Sequence, residues 1–423
     1  MSAFYRNTHN HLTIDGLPLD GLMAKFGSPL YVYSAAGLER AFTAFQAAVA
    51  PVSGKVHFAL KANSALGVIA FLARCGAGAD IVSAGELARA LAVGIPAKDV
   101  VFSGVGKRPA DIRSALAAGI GQINAESAEE VAQISSIAAA MGVVAPVALR
   151  VNVDVDAGTH AKISTGQRST KFGISTDQRE AATLYASINA DPHIKPMGLA
   201  VHIGSQICDL APFERAYSAL LDVATGLRAD GLDVPGLDLG GGVGVDYQQA
   251  NDTDFSAYGE LVTRLFKDSG YALGFEPGRA IAANNGVLLT EVIYVKQGDN
   301  KRFVIVDAAM NDLIRPTLYD AYHPIVTLAP PHNTIGKADI VGPVCETGDY
   351  LGLDRDMPAL AAGDKLAVLS AGAYGAVMAS TYNTRPPAGE VLVHNGKAHL
   401  LRPARSLHSL LADEKIPVLN ERS

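Results

Sequence analysis

A lysine follows the first apolar run that the sequence predicts to be a buried strand. The run is Val56–Leu60, and Lys61 comes directly after it. A lysine in this position places an amine at the rim of a sheet, where it can act as a nucleophile toward an aldehyde. An inert surface lysine at a strand end fits this local pattern equally well. The residues that follow the other predicted strands must therefore decide between the two interpretations.

Four further groups of chemically useful residues lie in or directly after other predicted strands. They are Asp80 with Ser83, the run 202–206 (HIGSQ), the run 240–244 (GGGVG) and the run 276–279 (EPGR). The carboxyl ends of the strands of a parallel barrel meet at one mouth, where such enzymes keep their active sites. We therefore expect these side chains to lie close to Lys61.

The glycine run Gly240-Gly241-Gly242-Val243-Gly244 is the most informative of these groups. A backbone without side chains can bring its N–H groups close to an anion, and barrels often bind phosphate after the seventh strand. A plain turn would explain such a run about as often. The run is not a dinucleotide fingerprint, because the expected downstream acidic residue is missing. Combined with Lys61, it suggests pyridoxal 5′-phosphate held as a Schiff base.

This hypothesis requires partners for the pyridine ring of the cofactor. The ring nitrogen needs a carboxylate that keeps it protonated, and Glu276 can provide one. One face of the ring needs a flat group, and His202 could stack there. Taken alone, Glu276 could be a surface acid beside a turn proline, and His202 could be an ordinary core histidine.

Eight short apolar runs alternate with helical stretches over roughly 225 residues, which predicts a (β/α)8 TIM barrel. The runs do not alternate between apolar and polar residues, as is typical of strands covered on both faces. A doubly wound open sheet is the alternative. The predicted strands are Val56–Leu60, Ala79–Val82, Val100–Phe102, Gly121–Asn124, Val147–Val151, Met197–His202, Gly236–Leu239 and Ala272–Phe275.

After Ala280 the pattern changes to β-prone runs separated by Gly, Pro, Asn and Asp, which predicts a mostly antiparallel β domain. We expect the barrel domain to span residues 34–280 and the β domain to comprise residues 1–33 and 281–423. The runs are Val287–Val295, Arg302–Val306, Ala338–Val341, Lys365–Leu369 and Glu390–His394.

Composition narrows the class of protein. The 423 residues are 49% hydrophobic and carry a net charge of −7, with no basic stripe that would indicate nucleic acid as a partner. The three cysteines are widely spaced, so we expect neither disulfides nor a metal site. No signal peptide and no apolar run of membrane-spanning length is visible, which predicts a cytoplasmic protein.

Together the motifs resemble the diaminopimelate decarboxylase family, which belongs to the fold-III pyridoxal-phosphate enzymes along with alanine racemase. The resemblance covers roughly residues 28–390. Departures are His57, where tyrosine is frequent, Thr347, where serine is common, and the tail Arg402–Leu411, which lacks the usual Arg-Arg-Glu-Thr pattern. The matching stretches are FALKAN (58–63), DIVSAGEL (80–87), ISTG with KFGI (163–174), HIGSQI (202–207), LGGGVGVDY (239–247), EPGR (276–279), MNDLIRPTLYD (310–320), CETGD (345–349) and AGAYG (371–375).

The resemblance implies a homodimer with shared active sites that decarboxylates meso-2,6-diaminopimelate to L-lysine and CO2, the last step of lysine biosynthesis. It implies Lys61 as the Schiff-base lysine, His202 against the ring and Glu276 on the ring nitrogen. Cys345 of the partner subunit would be the proton donor, and Tyr374 would reach cofactor and substrate. Further cofactor contacts are implied for Asp80, Ser205, Gly240, Gly241, Gly242, Gly244, Gly278 and Arg279.

The charged residues indicate how such a substrate would be chosen. A distal carboxylate needs cationic or hydroxyl donors, which Arg279, Arg315 and Tyr319 can supply, and a distal ammonium needs an acid such as Glu346. Tyr374 is expected to contact the substrate as well. A decarboxylase of D-lysine, D-ornithine or carboxynorspermidine remains an alternative, as does a non-catalytic homologue that binds pyridoxal phosphate.

Overall fold

The computed structural model describes residues 3–158, 160–163, 165–166, 171–175, 178–249, 253–330 and 335–417. The chain divides into two compact units. The first is formed mainly by Ala35–Asn285, and the second by Phe4–Ser34 together with the residues from Gly286 onward. Within the motif 163–174, Ser164 and residues 167–170 lie outside the described residues. So does Thr176, where the sequence predicts the start of a helix.

The second unit contributes the first elements of the chain. Three short strands form an antiparallel sheet in which β2 pairs with both β1 and β3. Asp15 and Gly16, which both have positive φ, make the tight turn between β2 and β3, as two-residue hairpins require. The elements are β1 (Phe4–Arg6), β2 (Leu12–Ile14), β3 (Leu17–Pro18), α1 (Leu19–Phe26) and β4 (Leu30–Ser34).

The first unit is a closed parallel barrel of eight strands, as predicted. Around the ring the order is β5-β6-β7-β8-β9-β11-β12-β13, and pairing of β13 with β5 closes it. The elements are α2 (Ala35–Val49), β5 (Lys55–Ala59), α3 (Leu66–Arg74), β6 (Gly78–Ile81), α4 (Ala84–Ala92), β7 (Val100–Phe102), α5 (Pro109–Ala118), β8 (Gln122–Ala125), α6 (Ala128–Met141), β9 (Ala145–Asn152), β10 (Ile174–Ser175), α7 (Gln178–Ala190), β11 (Ile194–Ala200), α8 (Ala211–Ala229), β12 (Gly236–Asp238), α9 (Ser256–Phe266), β13 (Ala272–Phe275) and α10 (Arg279–Ala282).

Local signals explain where the barrel helices begin. The Ser83 hydroxyl accepts a hydrogen bond from the Glu86 N–H at 3.2 Å, and Ser127 accepts from the Glu130 N–H at 3.1 Å. Each serine satisfies a backbone donor that the first turn of a helix would leave unpaired. The helices α4 and α6 therefore begin directly after these two serines.

The interior of the barrel is polar near its active end. Asn124 on β8 donates a hydrogen bond to Asp238 on β12 at 3.1 Å, although these strands are not neighbours in the sheet. The bond must therefore cross the inside of the barrel. Most barrel interiors are filled by branched apolar residues, so buried polar groups at this end indicate a candidate functional site.

The second unit continues with a mixed but mostly antiparallel sheet, which confirms the predicted class. The longest run of paired strands is β18-β17-β15-β14-β4-β20-β21, and β19 pairs with β14 and β16. Only the pairs β15–β17 and β20–β4 are parallel among the described strands of this sheet. The elements are β14 (Gly286–Gln297), β15 (Arg302–Val306), α11 (Arg315–Tyr319), β16 (Ile325–Thr327), β17 (Ile335–Val341), β18 (Tyr350–Pro358), β19 (Lys365–Val368), β20 (Gly389–His394), β21 (Lys397–Arg402) and α12 (Leu407–Leu411).

No helix in the described ranges combines the length and the apolar character needed to cross a bilayer.

Candidate active site

Lys61 lies just beyond the end of β5 and contacts a carboxylate on the next strand. Its Nζ donates a hydrogen bond to Asp80 Oδ2 at 2.6 Å. The Asp80 side chain is completely buried, whereas the lysine side chain is 31% exposed. The buried acid fixes the amine at the mouth of the barrel and stabilises its charged form. This geometry does not fit an inert surface lysine.

Glu276, directly after β13, is a second buried carboxyl near this lysine. Only 6% of the residue is exposed, and its Oε1 accepts a hydrogen bond from the Ser103 hydroxyl at 3.3 Å. Burial raises the pKa of Glu276 well above its ordinary value, and the nearby carboxyls of Asp238 and Asp80 raise it further. A cation placed against this group would favour its ionised form, and a protonated ring nitrogen is such a cation.

A chain of hydrogen bonds joins Glu276 to the glycine run. Asp238 Oδ1 accepts from the Gly240 N–H at 3.0 Å, and its Oδ2 accepts from the Asn124 amide at 3.1 Å. The same Asn124 amide donates to the Ser103 hydroxyl at 3.0 Å, and Ser103 in turn donates to Glu276. One hydrogen-bond network therefore positions both Glu276 and the glycine run, which lie at the two ends of the candidate cofactor site.

His202 lies beside the glycine run in its neutral form. Its Nδ1 accepts a hydrogen bond from the Gly241 N–H at 3.2 Å. Burial lowers the pKa of His202 well below its ordinary value, and the positive charges of Lys61 and Arg150 lower it further. A neutral, flat imidazole is thus held at the mouth of the barrel, as stacking against a ring requires.

The glycine run is needed for close approach of the backbone. A Cβ on Gly240 would overlap the carbonyl oxygen of Val201, and a Cβ on Gly241 would overlap that of Glu276. Gly242 has a φ of +110°, which residues with a side chain rarely adopt. Any side chain would therefore push this segment away from β11 and β13. The bare loop remains next to His202 and can present its N–H groups to an anion.

Positive charge lies next to this loop. Arg279 is 6% exposed, donates to the Ser205 hydroxyl at 3.0 Å and donates to the Tyr247 hydroxyl at 2.6 Å. At Gly278, a Cβ would lie 2.9 Å from the Ala62 Cβ, so the turn before the arginine also needs glycine. The predicted residues Ser205, Gly278 and Arg279 are therefore brought together in the first unit.

The second unit carries the remaining predicted residues. Arg315 and Tyr319 are the first and last residues of α11. The Thr317 hydroxyl of this helix donates to the Gly348 carbonyl at 2.6 Å, which attaches the helix to the loop that contains Cys345. Within this unit, the two predicted substrate residues on α11 are thus tied to the loop of the predicted proton donor.

The Cys345 loop presents a thiol and a carboxyl. Cys345 is exposed, and its backbone N–H donates to Asn383 at 2.9 Å. A hydrogen bond to Glu346 raises the pKa of the Tyr382 hydroxyl. Tyr374, in a separate turn, has a φ of +55°, a conformation uncommon for a residue with a side chain. Its backbone is thus held in a defined and unusual position.

Comparison with known proteins agrees with this geometry. Residues 35–283 match the family model for the pyridoxal binding domain of pyridoxal-dependent decarboxylases. A curated diaminopimelate decarboxylase from Zymomonas mobilis is 48% identical over 409 residues, 96% of each chain. Its counterpart from Vibrio cholerae is 47% identical over 417 residues, 98% of this chain and 99% of the other.

This chain belongs to the diaminopimelate decarboxylase family.

Solved structures of the family have the same fold. Diaminopimelate decarboxylase from Helicobacter pylori, complexed with L-lysine, superposes with a TM-score of 0.89 at 38% identity and covers 93% of this chain and 98% of its own. The enzyme from M. jannaschii, in co-complex with L-lysine, gives a TM-score of 0.91 at 32% identity and covers 98% of both chains.

The cofactor of the family, pyridoxal 5′-phosphate, fits the residues of the first unit. Lys61, His202 and Glu276 line one small cavity at the mouth of the barrel. Buried Asp80 Oδ1 has no hydrogen-bond partner among the described residues. Lys61 would hold the aldehyde, Glu276 the ring nitrogen, and the glycine run with Arg279 the phosphate.

Sequence reasoning missed the residues that support this site. It did not single out Ser103, Asn124 or Asp238, which link Glu276 to the glycine run, or Tyr247, which binds Arg279. A usable signal was present for one of them, because Asp238 is the lone polar residue in the short predicted strand Gly236–Leu239.

Proposed function

We propose that this protein decarboxylates meso-2,6-diaminopimelate to L-lysine and CO2 with pyridoxal 5′-phosphate as cofactor. The observation that carries this proposal is the Lys61–Asp80 contact at the barrel mouth, with neutral His202 and buried Glu276 in the same cavity. Membership of the diaminopimelate decarboxylase family supports the choice of reaction. Relatives of this name are 42–48% identical to the chain over almost its full length.

When bound, the cofactor supplies a ring that can accept the electron pair left behind by departing CO2. The residues of this chain position and tune that ring. Glu276 keeps a proton at the ring nitrogen, because its buried carboxylate is stabilised by a cation. Neutral His202 supports one face of the ring without adding a competing charge.

We propose that Cys345 of the partner subunit returns a proton to the substrate. A thiol can donate a proton and is a group of the required kind. The exposed position of Cys345 in a single chain is consistent with a site completed in a homodimer. Serine at this position would keep the size of the side chain but would donate a proton less readily.

Substrate selection follows from charge. The far end of meso-diaminopimelate carries both a carboxylate and an ammonium. We propose that Arg279, Arg315 and the Tyr319 hydroxyl bind that carboxylate, that Glu346 binds the ammonium, and that Tyr374 contacts cofactor and substrate. Arginine suits this role because its planar fork matches a carboxylate with two parallel hydrogen bonds.

A CO2-release assay over a panel of amino acids tests the proposal. The purified protein with added pyridoxal phosphate should decarboxylate meso-diaminopimelate and should leave L-lysine, D-lysine, ornithine and carboxynorspermidine largely unchanged. If the protein released CO2 preferentially from D-lysine, D-ornithine or carboxynorspermidine, that compound would be its substrate instead of meso-diaminopimelate. Cofactor binding without CO2 release from any compound would indicate a non-catalytic homologue.

A further inference from the structure

Arg315 is a buried cation whose side chain contacts a histidine. Only 5% of the residue is exposed, and its Nη1 lies 2.9 Å from Nε2 of His323. Burying a guanidinium is unfavourable unless its N–H groups find acceptors. His323 is therefore part of what allows the arginine to occupy this position.

The second contact of His323 determines which ring nitrogen carries a hydrogen. Its Nδ1 lies 2.9 Å from the carbonyl oxygen of Leu369. A carbonyl oxygen can only accept, so Nδ1 must be the donor. In a neutral ring, Nε2 then has a lone pair and accepts a hydrogen bond from Arg315. The two contacts together select a single neutral tautomer of the imidazole.

The position of this histidine is set by strand pairing and not by a mobile loop. Pro324 restricts the preceding residue, His323, to an extended backbone. The Leu369 N–H donates a hydrogen bond to the Pro324 carbonyl at 2.8 Å. Strand β16 begins directly after Pro324 and pairs with β19, with Ile325 opposite Val368. His323 is itself fully buried. The imidazole is thus a rigid support for the arginine.

We propose that His323 is a positioning residue that orients the guanidinium of Arg315 toward the carboxylate of the substrate. This inference rests on the proposed function, in which Arg315 binds that carboxylate. A guanidinium has five N–H donors in a fixed planar fork, and fixing one nitrogen fixes the direction of the others. His323 therefore acts on substrate binding through Arg315 and touches neither substrate nor cofactor.

The neutral character of the acceptor matters for this role. An aspartate or glutamate at this position would also hold the arginine, but it would neutralise the charge that attracts the substrate carboxylate. A neutral imidazole holds the fork and leaves the positive charge in place.

Three substitutions separate these roles: His323→Gln keeps a neutral acceptor, His323→Leu removes it, and His323→Glu supplies a charged one. Each variant is purified with bound pyridoxal phosphate, and kcat, KM and thermal stability are measured. Inhibition by L-lysine, which has a carboxylate, is compared with inhibition by 1,5-diaminopentane, which has none.

We expect His323→Leu to raise KM and the inhibition constant of L-lysine about tenfold or more, as loss of one hydrogen bond that orients a charged group would do. The changes in kcat and in the inhibition constant of 1,5-diaminopentane should be much smaller. His323→Gln should recover most of the loss. His323→Glu should weaken L-lysine binding more than His323→Gln, even if the glutamate variant is the more stable of the two.

Equal weakening of both inhibitors in His323→Leu, or unchanged KM in that variant, would overturn the inference. If His323→Leu does not fold, His323→Gln and His323→Glu decide the question, because equal L-lysine affinity in these two variants contradicts it. Failure of the proposed function is a separate outcome. In that case the unmodified protein would not decarboxylate meso-diaminopimelate at all.

Discussion

The amine of Lys61, just beyond the end of β5, lies 2.6 Å from a carboxylate oxygen of Asp80 on the adjacent strand β6. Backbone pairing of Ala59 with Asp80 fixes this relationship, because Lys61 follows two residues after Ala59 on the same segment. Strand pairing therefore fixes the position of the buried Asp80 carboxylate next to the Lys61 amine.

Replacing Lys61 with alanine should abolish both decarboxylation and the visible absorption band of lysine-bound pyridoxal, because no other described lysine contacts Asp80. The measurement is an absorption spectrum of the purified protein with added cofactor. Lys98→Ala is the matched control, since that lysine is exposed before β7 at the opposite end of the barrel. A band that persists in Lys61→Ala would assign the aldehyde to another residue.

The raised pKa of Glu276 predicts a pH dependence of stability in the cofactor-free protein. The folded state binds the proton of this carboxyl more tightly than the unfolded state. Its stabilising contribution is complete below the ordinary value of 4.5 and is lost as the pH rises through the raised pKa. Thermal unfolding across this range should therefore show the wild type losing stability relative to Glu276→Gln. Parallel curves for the two proteins would mean that Glu276 ionises normally.

Gly241→Ala should destabilise the protein and weaken cofactor binding, because the added Cβ overlaps the Glu276 carbonyl oxygen. Overpacking of this kind typically costs about 1–3 kcal/mol. Gly226→Ala is the control, because nothing lies within 4 Å of its added Cβ on helix α8, and it should stabilise by about 0.5–1 kcal/mol. Urea unfolding measures both. If Gly241→Ala were as stable as the wild type, the glycine loop would be able to move aside to accommodate the added Cβ.

Arg315→Ala should lower kcat/KM for meso-diaminopimelate by an amount equivalent to about 1.5–3 kcal/mol of transition-state stabilisation, the range expected for a hydrogen bond to a charged group. The loss should appear mainly as an increase in KM. Arg113→Ala, on the exposed face of α5, should leave the efficiency unchanged. If Arg315→Ala retained full efficiency, the substrate carboxylate would have to be bound elsewhere.

The barrel could be predicted from the sequence because each strand is a short apolar run followed by a clear turn or helix-start signal. Ser83 and Ser127 mark two helix starts that the structure reproduces. The strands β18 and β21, in contrast, were missed. They lie at the two ends of the strand order, and edge strands often carry polar residues that discourage pairing with other chains. Asp354 and Arg355 interrupt the apolar pattern of β18 in this way.

The site could be predicted only as far as its residues follow strand ends. Lys61, His202 and Glu276 were expected to lie together on this ground and do line one cavity, because the C-terminal mouth of a barrel gathers such positions. The bond between Asn124 and Asp238 joins residues 114 positions apart, and no local pattern encodes the distance across a barrel. The orientation of His323 also depends on a distant residue, since its Nδ1 contacts the carbonyl oxygen of Leu369, 46 positions away.

The position of β4 has a consequence for synthesis of the chain. This strand lies between β14 and β20, with Tyr33 paired to Gly286, so β14 is translated roughly 250 residues later and β20 later still. At typical rates of about 5–20 residues per second, β4 waits on the order of 10–50 s for a partner while the intervening barrel emerges. The last barrel strand, β13, is translated shortly before β14, so the barrel sheet can close only as that delay ends. Translation speed between residues 35 and 285 therefore determines how long an apolar strand stays unpaired and available to chaperones.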